Sequence, residues 1–279
     1  MPSVLHACAL PGLLIGLLVV SPPAAGDERG RGGCEGVRSQ DRVRQVSGLG
    51  DVLLESGRTA SLAGIRLPED EAARGPALAW LRAREGRAVL VRAYGPPDRW
   101  DRQPSALAPG DGAGKGPGNA PDDPPEDFAK ALVGAGLALV DAGVAETHCA
   151  PDLLAAEGQA RKRSLGIWAQ DRYKPLDAAQ RDGLRERAGT FVVVEGRVRS
   201  IGERPQTTYL NFGGAWAEDF TIIISKKTWT RMAERGLTPD TLRGRRVRAR
   251  GVLEAWQGTA LRIRAPEMIE RIEDQGAGR

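Results

Sequence analysis

Histidine is nearly absent from this chain of 279 residues, which has only His6 and His148. If the N-terminal stretch that carries His6 is removed as a leader, only His148 remains, too few for a histidine-rich zinc centre or a two-histidine metal-nuclease motif. His148, beside Cys149 and just ahead of a helix start, reads as a surface residue at a helix entrance. Cysteine is as scarce: Cys8, Cys34 and Cys149. Aromatic residues make up 5% of the chain, so any base-stacking platform has to be sparse. Neither sign of charge dominates, because 40 Lys and Arg stand against 36 Asp and Glu, a net charge of +4. That balance permits a polyanionic partner without demanding one.

A long hydrophobic run is missing too. The apolar stretch ALPGLLIGLLVV is short for a membrane span, and the small residues SPPAAG follow it. This is the pattern of a secretory leader over residues 1–26, with cleavage near Ala25 or Gly26. Its first residues carry only the terminal amine and His6 as cations, so an uncleaved N-terminal anchor is the alternative. The expected location is exported, periplasmic or secreted, with no stable membrane span once the leader is removed. Cys8 leaves with the leader, and Cys34 and Cys149 remain as an even pair in an oxidising compartment. They read as a disulfide or as two buried thiols.

The rest of the chain alternates strand and helix signals. VRQVSGLGDVLLESGRTASLAGI holds two apolar runs joined by ESGR, a hairpin signal. ARGPALAWLRAREGR reads as a helix with Pro76 in its first turn, and RAVLVRAY as a strand. The Gly- and Pro-rich stretch 103–125 has no periodicity and reads as a loop or insertion. PEDFAKALVGAGLALVDAG and APDLLAAEGQARKRSLGIWA read as helices, the first with Phe128, Leu132 and Leu139 on its apolar side. Residues 173–188 look like a linker. From Thr190 onward TFVVVEGRVRSIG, TTYLNFG, DFTIIIS, RRVRARGVLEAW and TALRIRAP alternate with period 2. A helix-like segment separates the third from the fourth, the order of an OB barrel.

SLAGIRLPED (Ser61–Asp70), followed in order by ALAWLRAREGRAVLV, DRWDR, ALVGAGLALV and LLAAEGQARKRSLGIW, resembles the staphylococcal-nuclease-like (thermonuclease) family over about residues 43–168. The resemblance implies a mainly β fold with helices (α+β): an OB barrel with three helices over residues 34–172, then a second small OB-like barrel over 189–272. It also implies a phosphodiesterase site of two carboxylates holding calcium, a Glu for water and two Arg clamping phosphate. A hard cation needs several oxygen ligands, the phosphorus centre needs fixed positive donors, and water needs a base or orienter. On this sequence the Glu falls on Glu69 and one Arg on Arg102. Ser61 stands where the other Arg belongs, Arg66 where one carboxylate belongs, and Gly50 where the other belongs. A one-residue slip puts Asp51 there instead, and Asp98 and Asp101 are further candidate ligands.

Two function classes therefore oppose each other. In one the degenerate site leaves a weak or inactive nuclease that serves as a binding module, with no cofactor. In the other a rearranged site hydrolyses DNA or RNA with Ca2+. Arg66 and Glu69 also read as a plain ion pair, and Glu69 as a cap of the next helix. The alternation of Arg246, Arg248 and Arg250 puts them on one strand face, a candidate surface for single-stranded nucleic acid or another polyanion, with Tyr209, Phe212 and Trp216 as candidate stackers. The same run also reads as a solvated outer face. The sequence names no oligomeric state.

Overall fold

The computed structural model describes residues 38–110, 127–143 and 150–272, except Trp216. The leader, Cys34, His148, Cys149 and residues 111–126 of the Gly/Pro-rich stretch lie outside the described residues, and the disulfide expectation with them.

The first half is a closed barrel of five strands, β1 (Ser39–Val46), β2 (Val52–Leu54), β3 (Thr59–Leu62), β5 (Ala88–Ala93) and β6 (Arg102–Pro109). The short strand β4 (Ile65–Arg66) and helix α1 (Glu71–Arg82) sit between β3 and β5. Val43 and Val46 are both buried although three residues apart, which a regular strand cannot arrange. The β1–β2 register shifts between Val43 and Gln45, and this bulge turns both side chains inward. β2 buries Val52 and Leu54 by plain alternation, and ESGR makes the expected hairpin turn, with Gly57 at φ 85°.

Three expectations are corrected here. Helix α1 starts at Glu71, capped by the Asp70 carboxylate accepting from the Ala73 N–H at 2.9 Å, so Pro76 lies inside it and Glu69 is not the cap. The start of the presumed loop, residues 102–109, is β6, antiparallel to β5 and parallel to β3. Ser105 and Leu107 point inward there, a period-2 signal hidden by Pro104, Pro109 and the glycines beyond. Finally, Leu139 is not helical. Helix α2 (Phe128–Gly134) stops before Gly136 at φ 69°, and Leu139–Val140 form strand β7, paired with β4.

Helix α3 (Ala150–Lys162) and a 3-10 turn, Gly166–Ala169, follow. β8 (Leu176–Asp177) then pairs in parallel with β9 (Phe191–Arg197), across α4 (Arg181–Glu186). The remaining elements are β10 (Ser200–Glu203), β11 (Thr207–Asn211), β12 (Phe220–Ser225), α5 (Lys226–Ala233), α6 (Pro239–Leu242), β13 (Arg246–Ala255), β14 (Thr259–Ile263) and β15 (Ile269–Arg271). Their sheet runs β10-β11-β12-β14-β13-β9-β8, with β15 on β13. β9 and β10 are successive pieces of one path, so the sheet curls back on itself. With β9 and β10 counted as one strand, both sheets run first-second-third-fifth-fourth-first. In both, the third and fifth strands are parallel and helix fills the crossover.

The described residues form one compact unit, mainly β with helices. Each sheet has its own apolar core, and a third cluster forms a seam: Ala73, Leu139, Ala160, Ile167 and Trp168 pack with Phe191 and Val193 of β9. Among the described residues no helix is long and apolar enough to cross a membrane.

Candidate functional site

Arg102 opens β6 and is held by Asp98, whose Oδ2 accepts from Nε at 3.0 Å and from Nη2 at 2.8 Å. The other oxygen of Asp98 accepts the backbone N–H groups of Trp100 and Arg102, so the β5–β6 connection is folded around this carboxylate. Those bonds hold the Asp98 carboxyl below its ordinary range, the Arg102 guanidinium foremost. Asp51, at the turn into β2, lies on the other flank, with Oδ1 3.8 Å from Arg102 Nη1. Burial pushes the Asp51 carboxyl up and outweighs the pull of Arg102. The structure thus brings Asp51 and Arg102 together. Gly50 has φ 90°, a conformation that strains any side-chain-bearing residue, so it serves the turn. Trp100 is 60% exposed, and the guanidinium carbons of Arg99 and Arg102 lie 3.8 and 4.8 Å from its ring centre.

Arg66 and Glu69 belong to a second group. Arg66 on β4 gives Nε and Nη2 to Asp141 Oδ2 at 3.0 and 2.9 Å, while Glu69 Oε1 is 4.0 Å from its Nη1. The expected Arg66–Glu69 pair is thus the weaker contact. Asp141 is buried and follows β7; the apolar run LALV before it was the available sequence signal. The Arg66 guanidinium also lies 5.0 Å from the ring centre of Phe191, the first residue of β9. Arg66 and Glu69 line a cavity of about 10 Å3, closed on its other side by Arg172, Tyr173, Arg187 and Phe191. That is room for about one water. Leu67 lines this cavity and also approaches Gly50, so the two groups are neighbours, though no contact joins Glu69 to Arg102. Ser61 sits on β3 opposite Pro104 of β6, and its short hydroxyl cannot supply the second phosphate clamp.

These residues do not fit calcium. Asp51 and Asp98 share the Arg102 guanidinium, a second cation stands at Arg66, and the carboxylate nearest Arg66 is committed to it. Among the described residues no group of three or more His, Cys, Asp or Glu could hold a metal ion. What the arrangement can do is hold an anion or stack a planar group at Arg99, Trp100 and Arg102.

The arginines of β13 depart from their expected role. Arg246, Arg248 and Arg250 do share a face, but that face turns toward carboxylates and α3. Glu195 accepts from Arg246 and Arg248, and Glu270 from Arg248 and Arg250. Arg250 is 1% exposed and bonds Glu157 of α3 at 2.5 Å, with Glu157 fully buried. A free polyanion surface is excluded at Arg250 by burial and at its neighbours by pairing. Phe212 packs against Phe220 in the core. Tyr209 instead lines a cleft of about 390 Å3 with Arg204, Asn211, Thr221, Trp256 and Gln257. Trp256, just past the end of β13 and 41% exposed, has the Arg262 guanidinium 5.3 Å from its ring and was not singled out in the sequence.

No protein-family model and no curated protein sequence matches the chain.

Proposed function

We propose that this chain is an exported, staphylococcal-nuclease-like protein made of two OB-type barrels. Its nuclease site is degenerate, and it binds single-stranded nucleic acid or a similar polyanion rather than cleaving it. The observation that carries this reading is Arg66. A guanidinium that cannot deprotonate stands where the family places a cation ligand, fixed by Asp141 and capped by Phe191 of the second sheet. The repeated strand order supports the two OB barrels. The Tyr209–Trp256 cleft supports the binding role, since stacked bases tolerate any sequence and a neighbouring guanidinium adds cation–π attraction.

A single preparation lacking the leader tests both halves of the reading. With calcium it should leave DNA and RNA uncut, while binding oligothymidine with an affinity that falls steeply with salt. Trp256→Ala should weaken that binding about 5–150-fold, the equivalent of ~1–3 kcal/mol for one lost stack. Robust calcium-stimulated cleavage abolished by Glu69→Gln or Asp51→Asn would establish the rearranged phosphodiesterase instead. Absence of binding at low salt would remove the binding module.

A further inference from the structure

A cleft of about 730 Å3 lies between α3 and the second sheet, away from every residue used above for catalysis. Its walls carry Arg161, Lys162, Trp168, Lys174, Arg248 and the carboxylates Glu195 and Glu270. The volume is that of a small-molecule site.

The charges on these walls do not balance. Glu195 and Glu270 are each engaged by two guanidinium groups of β13, Arg248 among them. Arg161 is left with Glu157, at 3.4 Å, and that carboxylate is already held by Arg250 at 2.5 Å and by the Val140 N–H at 2.9 Å. Burial, and then the nearby Arg248 guanidinium, depress the Arg161 pKa, the mark of a cation short of compensation. A guanidinium stays charged even so. Lys162, next along α3, is exposed and makes no ion pair among the described residues. Lys174 has only an exposed pair with Asp171. A second, independent feature lies at the same place. Trp168 is 2% exposed, lines the cleft, and its indole Nε1–H has no hydrogen-bond partner. A buried donor left unpaired costs free energy, and here it lies in a residue of the cleft wall, with the Arg161 guanidinium 5.6 Å from the same ring.

We propose that this cleft is a binding site for a phosphate-bearing small molecule, its phosphoryl oxygens received by Arg161 and Lys162. An oxyanion of two or more charges meets the excess of cation, and the fork of Arg161 suits two phosphoryl oxygens. The site is independent of the nucleic-acid reading and stands if that reading fails.

Calorimetric titration of the full chain with pyrophosphate and with ribose 5-phosphate, at ionic strength matched with sodium chloride, tests it. Both should bind, and Arg161→Met should weaken binding at least ~10-fold, as loss of one charge-assisted hydrogen bond of about 1.5–3 kcal/mol implies. Lys162→Met, an exposed change that leaves the fold untouched, should weaken it several-fold. Binding of pyrophosphate alone would point to free inorganic anions and overturn the small-molecule ester. Equal binding of citrate would overturn the choice of phosphate over carboxylate. No binding above the chloride control, or unchanged binding in both variants, would overturn the site.

Discussion

Asp51 and Asp98 flank one guanidinium, yet the structure pushes them in opposite directions. Asp98 is held below the ordinary carboxylate value, so its ionised form favours the fold. That contribution is present above about pH 3.9 and is lost as pH falls through the depressed pKa. Asp51 is raised, so ionising it weighs against the fold as pH climbs past the same ordinary value. Asp98→Asn should therefore lower Tm at pH 7, with the difference fading in acid. Asp51→Asn should leave Tm equal or higher at pH 7 and converge with the parent below about pH 3.9. Melting curves from pH 2.5 to 8 check both signs. The identities of Asp51 and Arg102 were legible in the sequence, but their adjacency depended on one residue of register. In the structure Gly50 takes a φ of 90°, which suits glycine, and Asp51 is the residue that faces Arg102, 3.8 Å away. Asp141 was not legible as the partner of Arg66, because 75 residues separate them and only the β4–β7 pairing closes that distance.

Among the elements, those with a clean period were read well and those crowded with Gly and Pro were not. The hairpin at ESGR followed from its turn residues and the C-terminal strand segments from their apolar residues, although Phe191–Val194 and Phe220–Ile224 are buried in unbroken runs rather than by alternation. Strand β6 was masked by its prolines, which nevertheless fall near its two ends. The turn after α2 shows why glycine misleads and also why it is needed. Gly136 and Gly166 face each other: a Cβ on Gly136 would lie 2.2 Å from the Leu165 carbonyl oxygen, and one on Gly166 2.2 Å from the Gly136 oxygen. Both have positive φ, 69° and 54°, and the Ile167 N–H donates to the Gly136 oxygen at 2.9 Å. Backbone cannot yield as a side-chain tip can. Gly136→Ala should destabilise the protein by at least about 1–3 kcal/mol, and Gly166→Ala similarly. The adjacent Gly134, with open space around its Cα, is the control and should tolerate Ala within about 1 kcal/mol. Urea denaturation measures all three.

For the molecule as a whole, Glu157 and Arg250 matter most. One comes from α3 and the other from the second sheet, and both are buried beside the apolar seam. Removing Arg250 leaves the buried Glu157 carboxylate with only Arg161, 3.4 Å away, and the Val140 N–H, so Arg250→Met should cost up to about 3–5 kcal/mol. Replacing both, Glu157→Met with Arg250→Met, should recover much of it, although the Val140 N–H then loses its acceptor. Calorimetry should also show the single transition of the parent resolve into two in Arg250→Met, because the charged link between the sheets is gone. The mainly β character with helices was legible in the sequence, but the link between the two sheets was not, since neither Glu157 nor Arg250 carries a local sign of its partner.

The same pair sets a clock for biosynthesis. Arg250 follows Glu157 by 93 residues. At a synthesis rate of about 5–20 residues per second, the ribosome delivers the base roughly 5–20 s after the acid. Throughout that interval the Glu157 carboxylate has only Arg161 as a counter-charge, and for part of the time the seam still lacks Phe191 and Val193. Helix α3 packs on α2 and β7 but lacks its link to the second sheet until Arg250 arrives, so chaperone engagement and proteolysis of the growing polypeptide should centre on that helix.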